Sequence, residues 1–144
     1  MDEYYDAIRL LPAFLRLTLA KLEPTQARLV QEIRLRSGRP AAITLQGQAC
    51  FITPEGKLTQ TPDQGLRLGQ TELLDTWHSL CGYSVHSVER ELARGFFTLR
   101  GGHRVGVAGI AHWTGETQDG WRVVTSLNIR IARSVSVPLP GQTA

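Results

Sequence analysis

Residues 32–36 read Glu-Ile-Arg-Leu-Arg, a strict alternation of charged and aliphatic side chains. A period of two belongs to a half-buried strand, because successive side chains leave the pleated backbone on opposite sides. Ile33 and Leu35 therefore point toward a core, and Glu32, Arg34 and Arg36 point away from it. Residues 103–113 and 123–131 read as strands too. In the first of these Arg104 shares a side with Gly106 and Ala108. In the second Arg130 shares a side with Asn128 and Ala132, while Leu127, Ile129 and Ile131 take the other. Each of the three strands thus carries arginine on one side of its alternation. The small residues beside Arg104 and Arg130 leave room for another backbone or a helix to approach closely.

The rest of the chain supplies helices and further strands. Residues 4–11 and 12–22 read as two short helices, with Pro12 suited to the first turn of the second. Phe14, Leu15, Leu17, Leu19 and Leu22 leave that helix few polar positions, so it is expected to be well covered by the domain. A third helix fits residues 25–30. Ser37-Gly38-Arg39-Pro40 is a turn. Residues 41–45 and 48–53 read as strands joined at Gln46-Gly47, and residues 54–64 as a polar loop. Thr71 can cap a helix over 72–80 that Gly82 ends. Ser84 can cap another over 85–94, ended by Gly95. Residues 96–99 form a strand, and Gly101-Gly102 signals a tight primed hairpin turn, which needs positive φ. Residues 115–120 read as a polar turn. The order of helices, strands, helices and strands predicts an α+β fold with a mainly antiparallel sheet. The expected division is one domain over residues 1–133 and a Pro-rich linker over 134–144.

The chain has 144 residues, enough for one domain with a real core, and its 42% hydrophobic and 20% charged residues indicate a soluble globular protein. No apolar run approaches the roughly 20 residues that span a bilayer. The acidic Met1-Asp2-Glu3 start is unlike a secretion signal and reads as the native start of a cytoplasmic protein without direct membrane insertion. Two cysteines, Cys50 and Cys81, are too few for a disulfide framework and read as ordinary thiols. The net charge is +3, and fourteen arginines stand against two lysines. Arginine dominates where planar, bidentate contacts to phosphate or carboxylate matter.

No catalytic set emerges. The glycines from Gly101 to Gly109 do not form a phosphate loop, since G-x-x-x-x-G-K-[ST] between strand and helix occurs nowhere. His78 and Cys81, with His86 nearby, lack a fourth ligand for zinc, so no metal is expected. Glu89 and Glu91 point in different directions on their helix. Ser84, Ser87 and His86 show no base-and-orienter arrangement. The plainest reading of the strand arginines is a solvated sheet face paired with Glu32, Glu89 and Glu91, in ion pairs of little energetic value. The functional reading is that one or more of them reach a phosphate on a partner.

Three blocks resemble one family. EIRLRSGRP (residues 32–40) is similar to the EIRLR-x-G-x-P segment of stage III sporulation protein AA. GFFTLRGGHRVGVAG (95–109) resembles that family's G-[FY]-[IVF]-T-L-x-G-G-H-R-V-G-[ILV]-x-G. SLNIRIAR (126–133) resembles its S-[FLI]-N-I-R-I-[AS]-R. Tyr83-Ser84 with Glu91-Leu92 looks like its YS…E-L helix pair, and the blocks keep the family's order.

The resemblance implies the N-terminal region of a cytoplasmic ATPase of endospore-forming bacteria. That ATPase is thought to energise a secretion-like channel between mother cell and forespore, lying peripheral to the membrane through its partners. Its Walker A loop would follow this region, so ATP and magnesium belong to a domain beyond the chain, and the chain itself is expected to hold no cofactor. By a looser likeness to the N-terminal domains of pilus and secretion ATPases, the fold is expected to be PAS-like. Such domains pack against a neighbour's ATPase domain in a hexameric ring. The expected partners are its own ATPase domain, neighbouring subunits and membrane channel proteins. On this reading Arg104, Arg130 and Arg133, then Arg34 and Arg36, are the nucleotide-sensing or interface residues. Gly38, Gly101, Gly102, Gly106 and Gly109 would serve tight turns and close approach. A basic nucleic-acid-binding module is the alternative, disfavoured by the scattered arginines and the lack of a stacking motif. A stand-alone enzyme working through His103 and Arg104 is a third reading, without a nucleophile to accompany them.

Overall fold

The computed structural model describes residues 2–82 and 96–133. The helix expected over 85–94 and the linker over 134–144 lie outside them, as do Ser84, His86, Ser87, Glu89 and Glu91. Three short helices open the chain: α1 (Glu3–Ile8), α2 (Ala13–Leu19) and α3 (Pro24–Ala27). Strands β1 (Val30–Arg36), β2 (Ala42–Leu45), β3 (Gln48–Ile52) and β4 (Leu58–Thr59) follow, then a 3-10 turn at Pro62–Gln64. Helix α4 (Gln70–Cys81) precedes β5 (Phe96–Thr98), β6 (Arg104–Thr114) and β7 (Thr117–Arg130). The fold is α+β, as the pattern of elements predicts.

The seven strands form one sheet in the order β4-β3-β2-β1-β7-β6-β5, with every pairing antiparallel. Two meanders meet where β1, the first strand, pairs with β7, the last. Ile33, Leu35, Ile43, Val105, Leu127 and Ile129 are buried on one sheet face. Tyr4, Leu11, Leu15, Leu19, Leu73 and Leu80 bring the helices into the same core. Trp77 of α4 sets its ring edge-on to Phe97, with centroids 5.2 Å apart, and edge-on to Trp121 at 6.4 Å. The Tyr4 and Tyr5 hydroxyls donate to the carbonyls of Leu19 and Leu22, each at 2.7 Å, fastening α1 across the end of α2. Burial pushes both phenols up from their usual range. Among the described residues no helix is long and apolar enough to cross a membrane.

Several local expectations shift. Pro12 is the N-cap of α2 rather than its first residue, in extended backbone at ψ 156°. Helix α4 starts at Gln70, not after Thr71, because Glu72 Oε1 accepts from the Gly69 N–H at 2.9 Å and Gly69 O receives the Leu73 N–H at 3.0 Å. Gly82 is its C-cap in right-handed backbone, φ −58°. The polar loop after residue 53 contains β4, whose Leu58 pairs with Ile52 after a turn at Gly56, φ +84°. The segment read as a turn over 115–120 is mostly strand. Thr114 pairs with Thr117 around a two-residue turn, and the outer hairpin is solvated, so polar residues cost it nothing.

Helix α2 departs most from expectation. Leu15 and Leu19 are fully buried, but Phe14 is 43% and Leu17 62% exposed. The domain covers one side of this apolar helix and leaves the other open.

Candidate functional site

The register of the sheet decides where the arginines go. Arg104 of β6 lies directly opposite Arg130 of β7, which lies opposite Glu32 of β1. In the next row Gly106, Asn128 and Arg34 are aligned, and in the third Ala108, Ser126 and Arg36. Their neighbours along each strand, Val105, Ile129, Ile33 and Leu35, are buried. The three arginine-bearing sides therefore unite on the sheet face turned away from the core. These three rows hold four guanidiniums and one carboxylate, Glu32.

Among the described residues the arginines of this face make few contacts. Arg34 Nη2 approaches Glu32 Oε2 at 3.5 Å, and its Nε donates to Asn128 Oδ1 at 3.2 Å. The Arg104 guanidinium stands 5.1 Å from the centroid of the Phe96 ring, within cation–π range. Arg104 and Arg130 are exposed. Like charges directly opposite across strands are destabilising, so the pair raises the energy of the free domain slightly and favours an anion. Arg36 is half-buried, and its Nε is enclosed with no hydrogen-bond partner among the described residues. An enclosed donor left unmet is costly and is normally answered by some acceptor.

Arg133 does not join this group. Its Nη1 donates to Asp2 Oδ1 at 2.6 Å and Glu3 Oε1 at 3.2 Å, and its Nη2 donates to the carbonyls of Ala27 and Val30. It clamps the chain start and the end of α3 to the end of β7, on the helical side of the sheet.

The glycines take three positions. Gly38 turns the chain between β1 and β2 at φ +72°, and its carbonyl accepts from Arg67 Nη1 at 2.7 Å. Gly101 and Gly102 have φ +96° and +89°, but the hairpin loop has three residues, closed by Leu99 N–H to His103 O at 2.7 Å. The expected two-residue primed turn is thus replaced by a longer loop, with the Gly102 N–H bonding Leu99 O at 2.9 Å. Gly106 and Gly109 lie inside β6. At Gly109 the register shifts, and the Val123 carbonyl occupies the space a Cβ would need.

His103 is buried beside the exposed Arg104. Its Nδ1 accepts the Ala132 N–H at 3.0 Å, which leaves Nε2 as the protonated nitrogen donating to Asp6 Oδ2 at 2.8 Å. With both ring nitrogens held inside the fold, His103 is a tether from the residue just before β6 to α1. The hydrogen bond from His103, assisted by Arg9 at 3.1 Å, holds the Asp6 carboxyl below the usual carboxylate range, against burial, which pushes it up. A depressed carboxylate stabilises the fold above its unfolded pKa of about 4 and loses that contribution as pH falls through the folded value. Asp6→Asn is therefore expected to lower the urea midpoint at neutral pH and to flatten its decline as the pH falls below about 4. Identical pH slopes for the two proteins would remove Asp6 from the acid response. Cys50 is buried, with its thiol facing the Ile43 carbonyl at 3.6 Å, and Cys81 is half-buried. Burial pushes both thiols up, Cys81 to about 12, so neither is an activated nucleophile.

Sequence reasoning did not find Asp6, which lies 97 residues from His103, or Phe96 beneath Arg104. Period-two spacing does signal Phe96, which pairs with Gly106 two residues beyond Arg104 on the same side of β6. Nothing local signals Asp6.

Fold and face together define an α+β domain whose sheet is packed by helices on one side and studded with arginine on the other. Residues 1–138 match the family described as Sporulation stage III, protein AA. The chain is 33% identical over 123 residues to stage III sporulation protein AA of Bacillus subtilis (strain 168), which covers 85% of this chain and 36% of that relative. The chain belongs to this family of sporulation proteins and spans little more than a third of the relative's length. No solved structure matches it.

Proposed function

We propose that this chain is the N-terminal regulatory and assembly domain of a sporulation-associated, secretion-type ATPase that energises a channel between mother cell and forespore. ATP and magnesium would bind in the remainder of the longer protein, and this domain would pack against that part and against neighbouring subunits of a hexameric ring. The assembly would sit on the mother-cell side, held at the membrane through channel proteins. Family membership supports the parent protein. The meander, helix, meander order, with β1 and β7 central, supports the PAS-like likeness.

The observation that carries the reading is the row of Arg104, Arg130 and Glu32. Two guanidiniums face each other across β6 and β7, with Glu32 beyond Arg130 on β1, in a row that a phosphate-bearing surface would complete. An arginine delivered across an interface can stabilise phosphoryl transfer by several orders of magnitude. Arg34 and Arg36 extend the face, and Arg133 supports it from behind by fixing the end of β7.

Arg104→Ala and Arg130→Ala, singly and together, test this in the full-length protein. Both side chains are exposed, so melting is expected to stay within about 2 °C, the range of an ordinary surface substitution. ATP turnover of the double variant is expected to fall by at least about tenfold. Unchanged turnover with unchanged assembly would end the reading. Retained turnover with a steep, salt-sensitive loss of DNA binding would instead assign the face to nucleic acid.

A further inference from the structure

The exposed side of α2 is a second surface, separate from the arginine face. Its exposed residues, together with the C-cap Ala20, are Ala13, Phe14, Leu17 and Ala20, all apolar. Phe14, Leu17 and Ala20 recur at a spacing of three, which places them on one ridge of the helix. Beside that ridge runs a groove of about 220 Å3 lined by Tyr5, Ile8, Arg9, Arg16, Leu17 and Ala20. The apolar stripe of an amphipathic helix is normally buried. Leu15 and Leu19 satisfy that within the domain, whereas Leu17 at 62% and Phe14 at 43% exposure are left for something outside the described residues.

Charge selects among the occupants. Arg9 is matched by Asp6 at 3.1 Å, but among the described residues Arg16 meets no carboxylate and donates to the Leu11 carbonyl at 3.0 Å, which leaves the rim a positive charge there. A second copy of the chain docking by this face would bring like charge against like. A ridge beside a groove, with a cationic rim at Arg16, fits an amphipathic helix with carboxylates flanking its apolar stripe. We infer that the α1–α2 face is the docking site for an acidic amphipathic helix of another protein. It lies on the helical layer, opposite the arginine face, so the domain can hold a partner there while its sheet meets another surface.

The test uses two synthetic peptides of about 18 residues, five helical turns, with leucine at the apolar positions and either glutamate or lysine beside them. Each is titrated into the isotopically labelled chain, and amide shifts of α1 and α2 are followed. The glutamate peptide is expected to bind at least about tenfold more tightly than the lysine peptide, a difference of 1.4 kcal/mol. Leu17→Glu is expected to weaken that binding by a similar factor, with Phe14→Ser as the second variant should the first disturb folding. Arg9→Glu with Arg16→Glu is expected to invert the preference between the peptides. Equal affinity for both peptides, or binding of neither, would overturn the inference. So would α2 shifts induced by anionic phosphatidylglycerol vesicles but not by the peptides, which would give the face to lipid. Self-association of the chain abolished by Leu17→Glu would give it to a second copy.

Discussion

Trp77→Ala is expected to lower the melting temperature by roughly 12 °C or more, which for a domain of this size corresponds to about 4 kcal/mol. Trp77 is 3% exposed and sits edge-on to both Phe97 and Trp121. Removing it forfeits a large apolar transfer term, leaves a cavity, and breaks two aromatic pairs, each worth about 1 kcal/mol beyond area. The damage should also be localised. Trp121 lies in the long outer hairpin of β6 and β7, which packs onto α4 through this cluster. Amide exchange in that hairpin is expected to accelerate more than in β1 or β2. A melting point within about 3 °C of the parent would show that the cluster does not anchor the hairpin.

His103→Leu is the second large effect, at about 3 kcal/mol. Leucine fills much of the space but accepts nothing from the Ala132 N–H and donates nothing to Asp6. A buried donor without an acceptor costs about 1–3 kcal/mol, and the Asp6 carboxylate loses the bond that holds its pKa down. The comparison with Arg104, the next residue, separates two roles. On the proposed function, His103→Leu should reduce the folded fraction and leave ATP turnover per folded full-length molecule unchanged. Arg104→Ala should do the reverse. A loss of turnover in His103→Leu at unchanged stability would return His103 to the chemistry and refute its role as a tether.

Much of the fold was legible because its signals are local. Alternation at residues 32–36 marked β1 and its outward side, and Gly101-Gly102 marked the β5–β6 hairpin. Where the signal was short or polar it failed. β4 has two residues, too few for a period to show. The start of β7 is polar because the outer hairpin is solvated, so it read as a turn. Arg133 shows that residues of one motif need not share a face. It shares SLNIRIAR with Arg130, but a separation of three puts it on the other parity of an extended chain. Its carboxylate partners, Asp2 and Glu3, lie 131 and 130 residues away. The apolar run of α2 correctly marked a helix, but composition could not say that only one side would be covered.

The amino-acid sequence by itself determined which residues share a side of each strand and which family the chain resembles, because both follow from spacing along the backbone. Only the tertiary structure decided that β6, β7 and β1 lie side by side in a register that puts Arg104 against Arg130 and Glu32. Strand pairing is chosen by packing of the buried faces, Val105, Ile129 and Ile33 among them, and the exposed residues are carried into line with it. The same packing decided that Arg133 is a clamp and that Phe14 and Leu17 stay in water.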